Sequence, residues 1–271
     1  MVQTAKSSEG SSVKHLYIVG IGTGNPEHIT IQAVNVLNKA DVLFLPTKGA
    51  KKAELAEVRR DICERYVTRA DGRIVEYAVP VRQTANRTYV QSVDDWHAEI
   101  AATYERLLSE ELGDDASGAF LVWGDPSLYD STIRIVERVK ARGNIAFDYS
   151  VIPGITSIQA LTASHRIPLN LVGKPVEITT GRRLGESLPR SIESAVVMLD
   201  GEQAFSKVDD PDVHIFWGAY LGTMDEITVS GRLGDVTDEI LKRRAAARER
   251  HGWIMDIYLL RKGEDFDDRD D

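Results

Sequence analysis

The sequence has a single cysteine and no histidine spacing typical of metal sites. Because Cys63 is the one cysteine in 271 residues, the chain can form neither an internal disulfide nor a cysteine cage around a metal. Cys63 lies in a predicted helix, where we favour a buried core thiol over a nucleophile. The six histidines show neither HxH nor HExxH spacing, which argues against zinc. We therefore expect a site without a bound metal.

Long apolar runs are also lacking. No stretch approaches the roughly 18–20 apolar residues that cross a bilayer, and the opening MVQTAKSSEGSSVKH lacks the hydrophobic segment of a secretory signal. We accordingly expect a cytoplasmic protein with no membrane partner. Residues 1–13, which are polar, and residues 263–271, which are acidic, are predicted to be disordered tails.

The chain also has no excess of positive charge. The chain has 33 Lys and Arg against 42 Asp and Glu, a net charge of −9. A nucleic-acid partner would need a basic surface that neutralises phosphates, so none is expected. A local arginine cluster can still bind an anionic small molecule on an acidic protein.

Strand and helix patterns alternate over the first half of the chain. A continuous apolar run at 16–19 predicts a strand buried on both faces of a parallel sheet, and Thr30 is a suitable cap for the next helix. Further strands are predicted at 41–46, 73–81 and 119–123, and helices at 30–37, 53–66 and 93–112. This order predicts an α/β domain with a mainly parallel sheet over residues 14–126.

The second half of the chain has a different pattern. A helix at 132–142, a strand at 147–152 and another helix opened by residues 153–157 come first. Short strand-like runs follow at 176–180, 195–199, 213–217, 226–229 and 253–260. Glycine-containing loops, rather than full helices, separate several of these runs, which favours a mixed sheet. We therefore predict a second α/β domain over residues 127–262.

The glycine-rich loop after the first strand is a poor match to a dinucleotide-binding fingerprint. That fingerprint needs GxGxxG and an acidic residue at the end of the second strand. Here the spacing is GxGxG, and the second strand ends in Phe44-Leu45-Pro46. Asp41 stands at the start of that strand, which is the wrong end. A nucleotide-dependent oxidoreductase is therefore disfavoured.

Two more glycine loops, at 124–129 and 153–157, directly follow buried strands. Ligands of open α/β sheets collect at the carboxyl ends of strands. Gly24 and Gly124 permit close backbone approach, and Thr156 and Ser157 offer hydroxyl and N–H groups at a helix start. Each loop alone could be a simple strand exit, but the three together indicate one ligand site.

Three segments resemble the signatures of the tetrapyrrole (corrin/porphyrin) methyltransferase family. They are LYIVGIGTGNPEHIT, VWGDPSLYDS and VIPGITSIQALTASHRIPL, and their order and spacing match over residues 13–262. Segments 45–51, 79–82, 95–100 and 216–222 are most similar to the members that methylate carbon 1 of precorrin-5 and release its acetyl group in cobalamin biosynthesis. Other precorrin C-methyltransferases and diphthine-type synthases share the fold and stay open. Net charge opposes an rRNA-directed member, and the intact loops oppose a non-catalytic binding module.

The resemblance implies two α/β domains, S-adenosylmethionine in the cleft between them, and a homodimer. It also implies a set of cofactor-binding positions. Leu199 is the least secure of them, because Asp200-Gly201 follows it and departs from the usual pattern. The positions are Thr23, Trp123, Gly124, Asp125, Leu128, Thr156, Ser157, Leu199 and Gly222.

Removal of an acetyl group calls for a general base, and precorrin carboxylates call for cationic partners. The candidates for the base are Asp125, His97 and Tyr129, each with an alternative structural role in a turn, a helix face or the core. Planar arginine forks suit carboxylates, although solvated surface charge is an equally good interpretation of each basic residue. The candidate substrate-binding residues are Lys48, Arg82, Arg182 and Arg183.

Overall fold

The computed structural model describes residues 13–47, 53–83, 88–186 and 193–262. Its contacts divide the chain into two compact units. The first contains Ile29–Gly154 together with the chain up to Ile21, and the second contains Gly22–His28 together with the chain from Ile155 onward. Most of both predicted tails, and Lys48, lie outside the described residues. Among the described helices, none is both long and apolar enough to span a membrane.

The first unit contains a five-stranded sheet in which every pairing is parallel. Its strands, ordered β3-β2-β4-β1-β5 across the sheet, are β1 (Lys14–Gly20), β2 (Val42–Thr47), β3 (Arg73–Ala78), β4 (Ser117–Val122) and β5 (Phe147–Ile152). Four helices accompany them: α1 (Ile31–Lys39), α2 (Ala53–Tyr66), α3 (Tyr89–Glu111) and α4 (Thr132–Arg142). The prediction of a mainly parallel first sheet is confirmed.

Alternate residues of β1 enter two different cores. Leu16 and Ile18 belong to a cluster that also contains side chains of α3 and α4. Tyr17 and Val19 belong to a second cluster, formed with side chains of α1 and α2. A strand covered on both faces has no polar side, which is why its sequence is a continuous apolar run.

Cys63 is buried in the second of these clusters, as predicted. Burial, with a smaller contribution from the charge of Glu64, raises the pKa of its thiol to about 11. A thiol with so high a pKa carries almost no thiolate at neutral pH and is a poor nucleophile.

The division between the units differs from the predicted boundary at 126. Strand β5 pairs in parallel with β1, with Val19 opposite Ile152, so residues 127–154 belong to the first unit. Residues 22–28, predicted for the first domain, belong to the second unit. Strand pairing decides the first assignment and long-range contacts, such as those of Thr23 and His28 with Gly222, decide the second. Local sequence pattern reports neither.

The second unit contains a mixed sheet, again as predicted. Its strands, ordered β6-β7-β10-β8-β9, are β6 (Glu177–Thr180), β7 (Ser194–Met198), β8 (Val213–Ala219), β9 (Ile227–Arg232) and β10 (Asp256–Lys262). Helices α5 (Ser157–His165), α6 (Gly181–Glu186) and α7 (Leu233–His251) belong to the same unit. Both β7 and β8 run antiparallel to β10, so the carboxyl ends of β7 and β8 lie at the same edge of the sheet.

Candidate active site

The carboxyl ends of β1, β4 and β5 meet in the first unit. A methyl group on Gly20 would lie 2.7 Å from the backbone nitrogen of Gly154 and 2.8 Å from the carbonyl oxygen of Gly124. Such distances leave no room for a Cβ, so the three loops pack backbone to backbone. The predicted meeting of strand ends is confirmed for Gly20, Gly124 and Gly154, whereas the rest of the first loop, Gly22–His28, belongs to the second unit.

Asp125 connects two of these loops. One carboxylate oxygen accepts from the Gly154 N–H at 2.8 Å, and the other accepts from the Ser127 N–H at 2.8 Å and from the Ser127 hydroxyl. Burial favours a higher pKa, but the bonds from Ser127 and Gly154 outweigh it and hold the pKa of Asp125 below its usual range. A carboxylate stabilised in this way is a weak base, so the geometry favours a brace in the turn.

Gly124 presents backbone to open space. Its φ is +68°, and a Cβ there would meet no atom of the described chain within 4 Å. Leu128, which is half-buried, ends the same turn, and its N–H donates to the Asp125 carbonyl at 3.3 Å. The loop can therefore admit a ligand close to its backbone, as the resemblance implies.

A cavity of about 310 Å³ opens beside this loop in the first unit. Trp123 and Tyr129, both nominated from the sequence, line it. Aromatic rings supply much of its wall, and the polar residues of the wall include one cation and one carboxylate. The lining includes Arg59, Tyr77, Trp96, Tyr104, Phe120, Trp123, Tyr129, Asp130, Ser131 and Thr132.

Arg59 is the cation of this cavity, and it was not among the residues predicted from the sequence. Its guanidinium carbon lies 5.9 Å from the centre of the Trp123 ring, and its Nε donates to the Leu121 carbonyl at 3.4 Å. Burial lowers the pKa of Arg59, while the charge of Asp130 acts in the opposite direction. Arg59 lies in a segment with an ordinary helical pattern. Nothing in the local sequence distinguishes it from an arginine on a solvated helix face.

Of the other two candidates for the general base, Tyr129 lines the cavity and His97 contacts a residue of its wall. Tyr129 has a left-handed φ of +50° and is 44% exposed. His97, on α3, bonds through Nε2 to the hydroxyl of Ser131 at 3.0 Å. Burial lowers the pKa of His97, and the charges of Arg138 and Arg134 lower it further. His97 thus reaches the cavity wall through Ser131.

In the second unit, Thr23 and Gly222 lie side by side. Thr23 is buried and its hydroxyl is 3.2 Å from Nδ1 of His28. A methyl group on Gly222 would lie 3.0 Å from the Thr23 hydroxyl and 3.2 Å from the His28 ring. The fold therefore brings together two of the predicted cofactor positions, which are far apart in the sequence.

Thr156 and Ser157 begin α5. Thr156 is its N-cap and accepts from the Ile158 N–H at 3.1 Å, and Gln159 completes a capping box. This cap occupies the Thr156 hydroxyl, so Ser157, the first residue of the helix, is the better placed of the two hydroxyls to contact a ligand.

Leu199 follows β7 in a strained conformation. Its φ is +54° and its side chain is 67% exposed. Asp200 is buried, and its Oδ2 accepts from the Ala204 N–H and from the Tyr258 hydroxyl, each at 2.7 Å. Asp200 therefore anchors the loop, which gives a structural reason for the departure from the family pattern.

The three basic candidates for substrate binding that lie among the described residues are exposed. Arg82 lies over the ring of Tyr89 at 5.3 Å in the first unit. Arg182 and Arg183 lie on α6 in the second unit, with both side chains exposed. Their exposure fits a role toward a charged ligand and equally fits surface charge.

A family model of Tetrapyrrole (Corrin/Porphyrin) Methylases matches residues 15–237. The chain is 71% identical over 258 residues to precorrin-6A synthase (deacetylating) from Sinorhizobium sp, covering 95% of this chain and 99% of that relative. A cobalamin-synthesis-related protein from Corynebacterium diphtheriae has a solved structure with TM-score 0.81 and 38% identity, covering 93% of this chain and 100% of that one. A uroporphyrin-III C-methyltransferase from Thermus thermophilus, solved with S-adenosylhomocysteine, has TM-score 0.54 and 20% identity, covering 91% of this chain and 96% of that one. This last likeness shows the fold alone.

These comparisons confirm the resemblance read from the three glycine signatures, and with it the prediction of a methyltransferase. The family match covers most of the chain, including all three loops described above. The chain belongs to the tetrapyrrole (corrin/porphyrin) methylase family.

Proposed function

We propose that the chain is an enzyme of cobalamin biosynthesis that methylates carbon 1 of precorrin-5 and releases the acetyl group there as acetate. The product is precorrin-6A. The observation that carries this proposal is the 71% identity, over 95% of the chain, to a relative named precorrin-6A synthase (deacetylating). Another precorrin C-methyltransferase activity is the main alternative.

The methyl donor in this proposal is S-adenosylmethionine. It would supply a methyl group, carried on a positively charged sulfur, to a carbon nucleophile. Two observations support the fit of this group. Backbone at Gly124 faces open space, and Gly222, with φ of +81°, adjoins the buried Thr23 hydroxyl. The proposed cofactor residues are Thr23, Trp123, Gly124, Asp125, Leu128, Thr156, Ser157, Leu199 and Gly222, and their placement in a cleft between two domains stays a prediction.

The chain's own contribution is chiefly positioning. Transfer of a methyl group needs a carbon nucleophile held in line with the donor. Alignment can lower the activation free energy by up to about 7–11 kcal/mol. Asp125 keeps the loops after β4 and β5 together through its bond to Gly154. A braced loop keeps the cofactor positions in place through the reaction.

Precorrins carry acetate and propionate side chains, and basic residues are their natural partners. We propose Arg82, Arg182 and Arg183 for this role, together with Lys48, which lies outside the described residues. The family resemblance further supports a homodimer and a cytoplasmic location, and sedimentation of the purified protein tests the first of these.

The deciding experiment is an incubation of the purified protein with precorrin-5 and S-adenosylmethionine. We expect a tetrapyrrole that has gained a methyl group and lost an acetyl group, together with free acetate. Mass spectrometry and the carbon-13 spectrum of the product measure both changes. A methylated product that keeps its acetyl group would instead identify a different precorrin C-methyltransferase.

A further inference from the structure

Ser131 occupies the N-cap position of α4, but its side chain makes no capping hydrogen bond. Serine at this position ordinarily accepts a hydrogen bond from the first turn. Here its hydroxyl lies 3.0 Å from Nε2 of His97 on α3. The side chain therefore forms a serine–histidine pair at the expense of its usual role.

This pair adjoins the cavity beside the loop that follows β4. Ser131 lines the cavity together with Arg59, Trp123 and Tyr129. Its volume of about 310 Å³ is near the lower end of ligand pockets, about 300–1,000 Å³. A substituent of a tetrapyrrole suits such a space better than a whole macrocycle does.

The polar groups of the wall match a neutral acyl group. Arg59 brings a positive charge and Asp130 a negative one, so the site does not select strongly for an anion. The Asp130 carboxylate accepts from the Thr132 N–H at 2.7 Å, which fixes it at the wall. The wall around these groups is largely aromatic, and fixed charges interact more strongly with a carbonyl oxygen in an apolar setting than in water.

His97 has the protonation state that a base needs. Burial and the charges of Arg138 and Arg134 lower its pKa, and the charge of Asp94 acts against them. The imidazole is therefore neutral at pH 7 and can accept a proton from Ser131.

We propose that Ser131 is the nucleophile that removes the acetyl group from the ring, with His97 as its general base. This inference rests on the proposed function and assigns the deacetylating half of it to the cavity of the first unit. Arg59 contributes positive charge for the oxygen of the acyl group.

Deacetylation then has two stages, formation of an acetyl ester on Ser131 and its hydrolysis. The Ser131 oxygen bonds to the acetyl carbon and its proton passes to His97, while the bond from the acetyl carbon to the ring breaks. The electron pair of that bond stays on the ring carbon, which becomes the nucleophile for methylation. His97 releases its proton to solvent and then takes one from water, which opens the acetyl ester. The serine recovers its proton from His97, and acetic acid leaves and ionises.

Two variants and a trap test the assignment in the full-length protein supplied with precorrin-5 and S-adenosylmethionine. Ser131→Ala should slow acetate release on the order of 10²–10⁴-fold, the usual contribution of such groups. His97→Gln keeps a hydrogen-bond partner for Ser131 but cannot accept its proton, and should have a similar effect. Wild-type protein quenched in acid should yield the Ser131 peptide carrying an acetyl group. With neutral hydroxylamine present, it should yield acetohydroxamate.

The chain offers a matched control. His15 and Ser150 form another histidine–serine bond of 3.0 Å in the same unit, between β1 and β5. Ser150→Ala should leave acetate release unchanged. Binding of S-adenosylhomocysteine and the circular dichroism spectrum verify that each variant is folded.

Each outcome is decisive. Acetate release by Ser131→Ala at the wild-type rate overturns the assignment while leaving the proposed function intact. A slow Ser131→Ala variant without any acetyl adduct or hydroxamate from wild type overturns the covalent step, because water then attacks directly. Failure of wild-type protein to release acetate from precorrin-5 overturns the proposed function itself, and this inference with it.

Discussion

The carboxylate of Asp125 accepts a hydrogen bond from the backbone N–H of Gly154 at 2.8 Å, and so ties the loop after β4 to the loop after β5. Its other oxygen is occupied by Ser127. From sequence alone, Asp125 is a candidate ligand or base within a family signature. In the structure its first role is to connect two of the signature loops.

Asp125→Asn should destabilise the protein. An amide presents one NH₂ group where the carboxylate presents an oxygen, so a backbone N–H loses its acceptor, at a cost of about 1–3 kcal/mol. Urea unfolding at pH 7 measures the change. Asp148→Asn on β5, where the side chain is 70% exposed, is the control and should change stability by less than about 0.5 kcal/mol.

The stability difference between wild type and Asp125→Asn should depend on pH. Because its hydrogen bonds hold the pKa of Asp125 below the ordinary value, the carboxylate stabilises the fold above the unfolded-state pKa of about 3.9. That contribution is lost as pH falls through the lower folded-state pKa. The stability difference between wild type and Asp125→Asn should therefore shrink below about pH 4. A difference that is constant from pH 7 to pH 3 would contradict the account.

Gly124→Asn should abolish cofactor binding with little loss of fold. Asparagine tolerates the left-handed conformation better than other side chains, and no described atom lies within 4 Å of the new Cβ. The side chain would occupy the space proposed for the ligand. Gly143→Asn is a close match, since Gly143 has φ of +69° and equally open surroundings at the end of α4.

Calorimetry with S-adenosylhomocysteine and thermal unfolding separate the two glycine positions. Both variants should lose a similar, small amount of stability, about 1 kcal/mol. Binding should disappear only in Gly124→Asn. Normal binding by that variant would place the cofactor elsewhere.

Arg59→Gln should lower the rate of acetate release by about 10-fold or more, which corresponds to one charge-assisted bond of roughly 1.5–3 kcal/mol. Arg60→Gln provides the control on the same helix. Arg60 pairs with Glu76 on the surface at 2.6 Å and does not line the cavity. Equal rates of acetate release in the two variants would show that Arg59 does not contribute to the reaction.

Arg82→Ala and Arg183→Ala should weaken binding of the polycarboxylate substrate, by up to about 1.5–3 kcal/mol per charge-assisted bond. Affinity for S-adenosylhomocysteine should stay at the wild-type value. Added salt should weaken substrate binding too, since exposed charge pairs are screened. Wild-type substrate affinity in both variants would show that these arginines are surface charges.

Local sequence pattern was enough to predict several helices and strands and the meeting of strand ends at one sheet edge. Helices at 53–66 and 132–142 and the strand at 147–152 have the predicted bounds, because hydrophobic period and capping residues are local properties. The meeting of Gly20, Gly124 and Gly154 was also predictable. Parallel strands place their carboxyl ends at one edge, so loops after buried strands must gather there.

Which side chains face one another follows from the tertiary structure and not from local sequence. It assigned β5 to the first sheet and residues 22–28 to the second unit. It placed Arg59 in the aromatic cavity, and joined His97 to Ser131 across 34 positions of sequence. Such contacts depend on strand order and on how helices pack over the sheet, which are long-range properties that no local window of sequence contains.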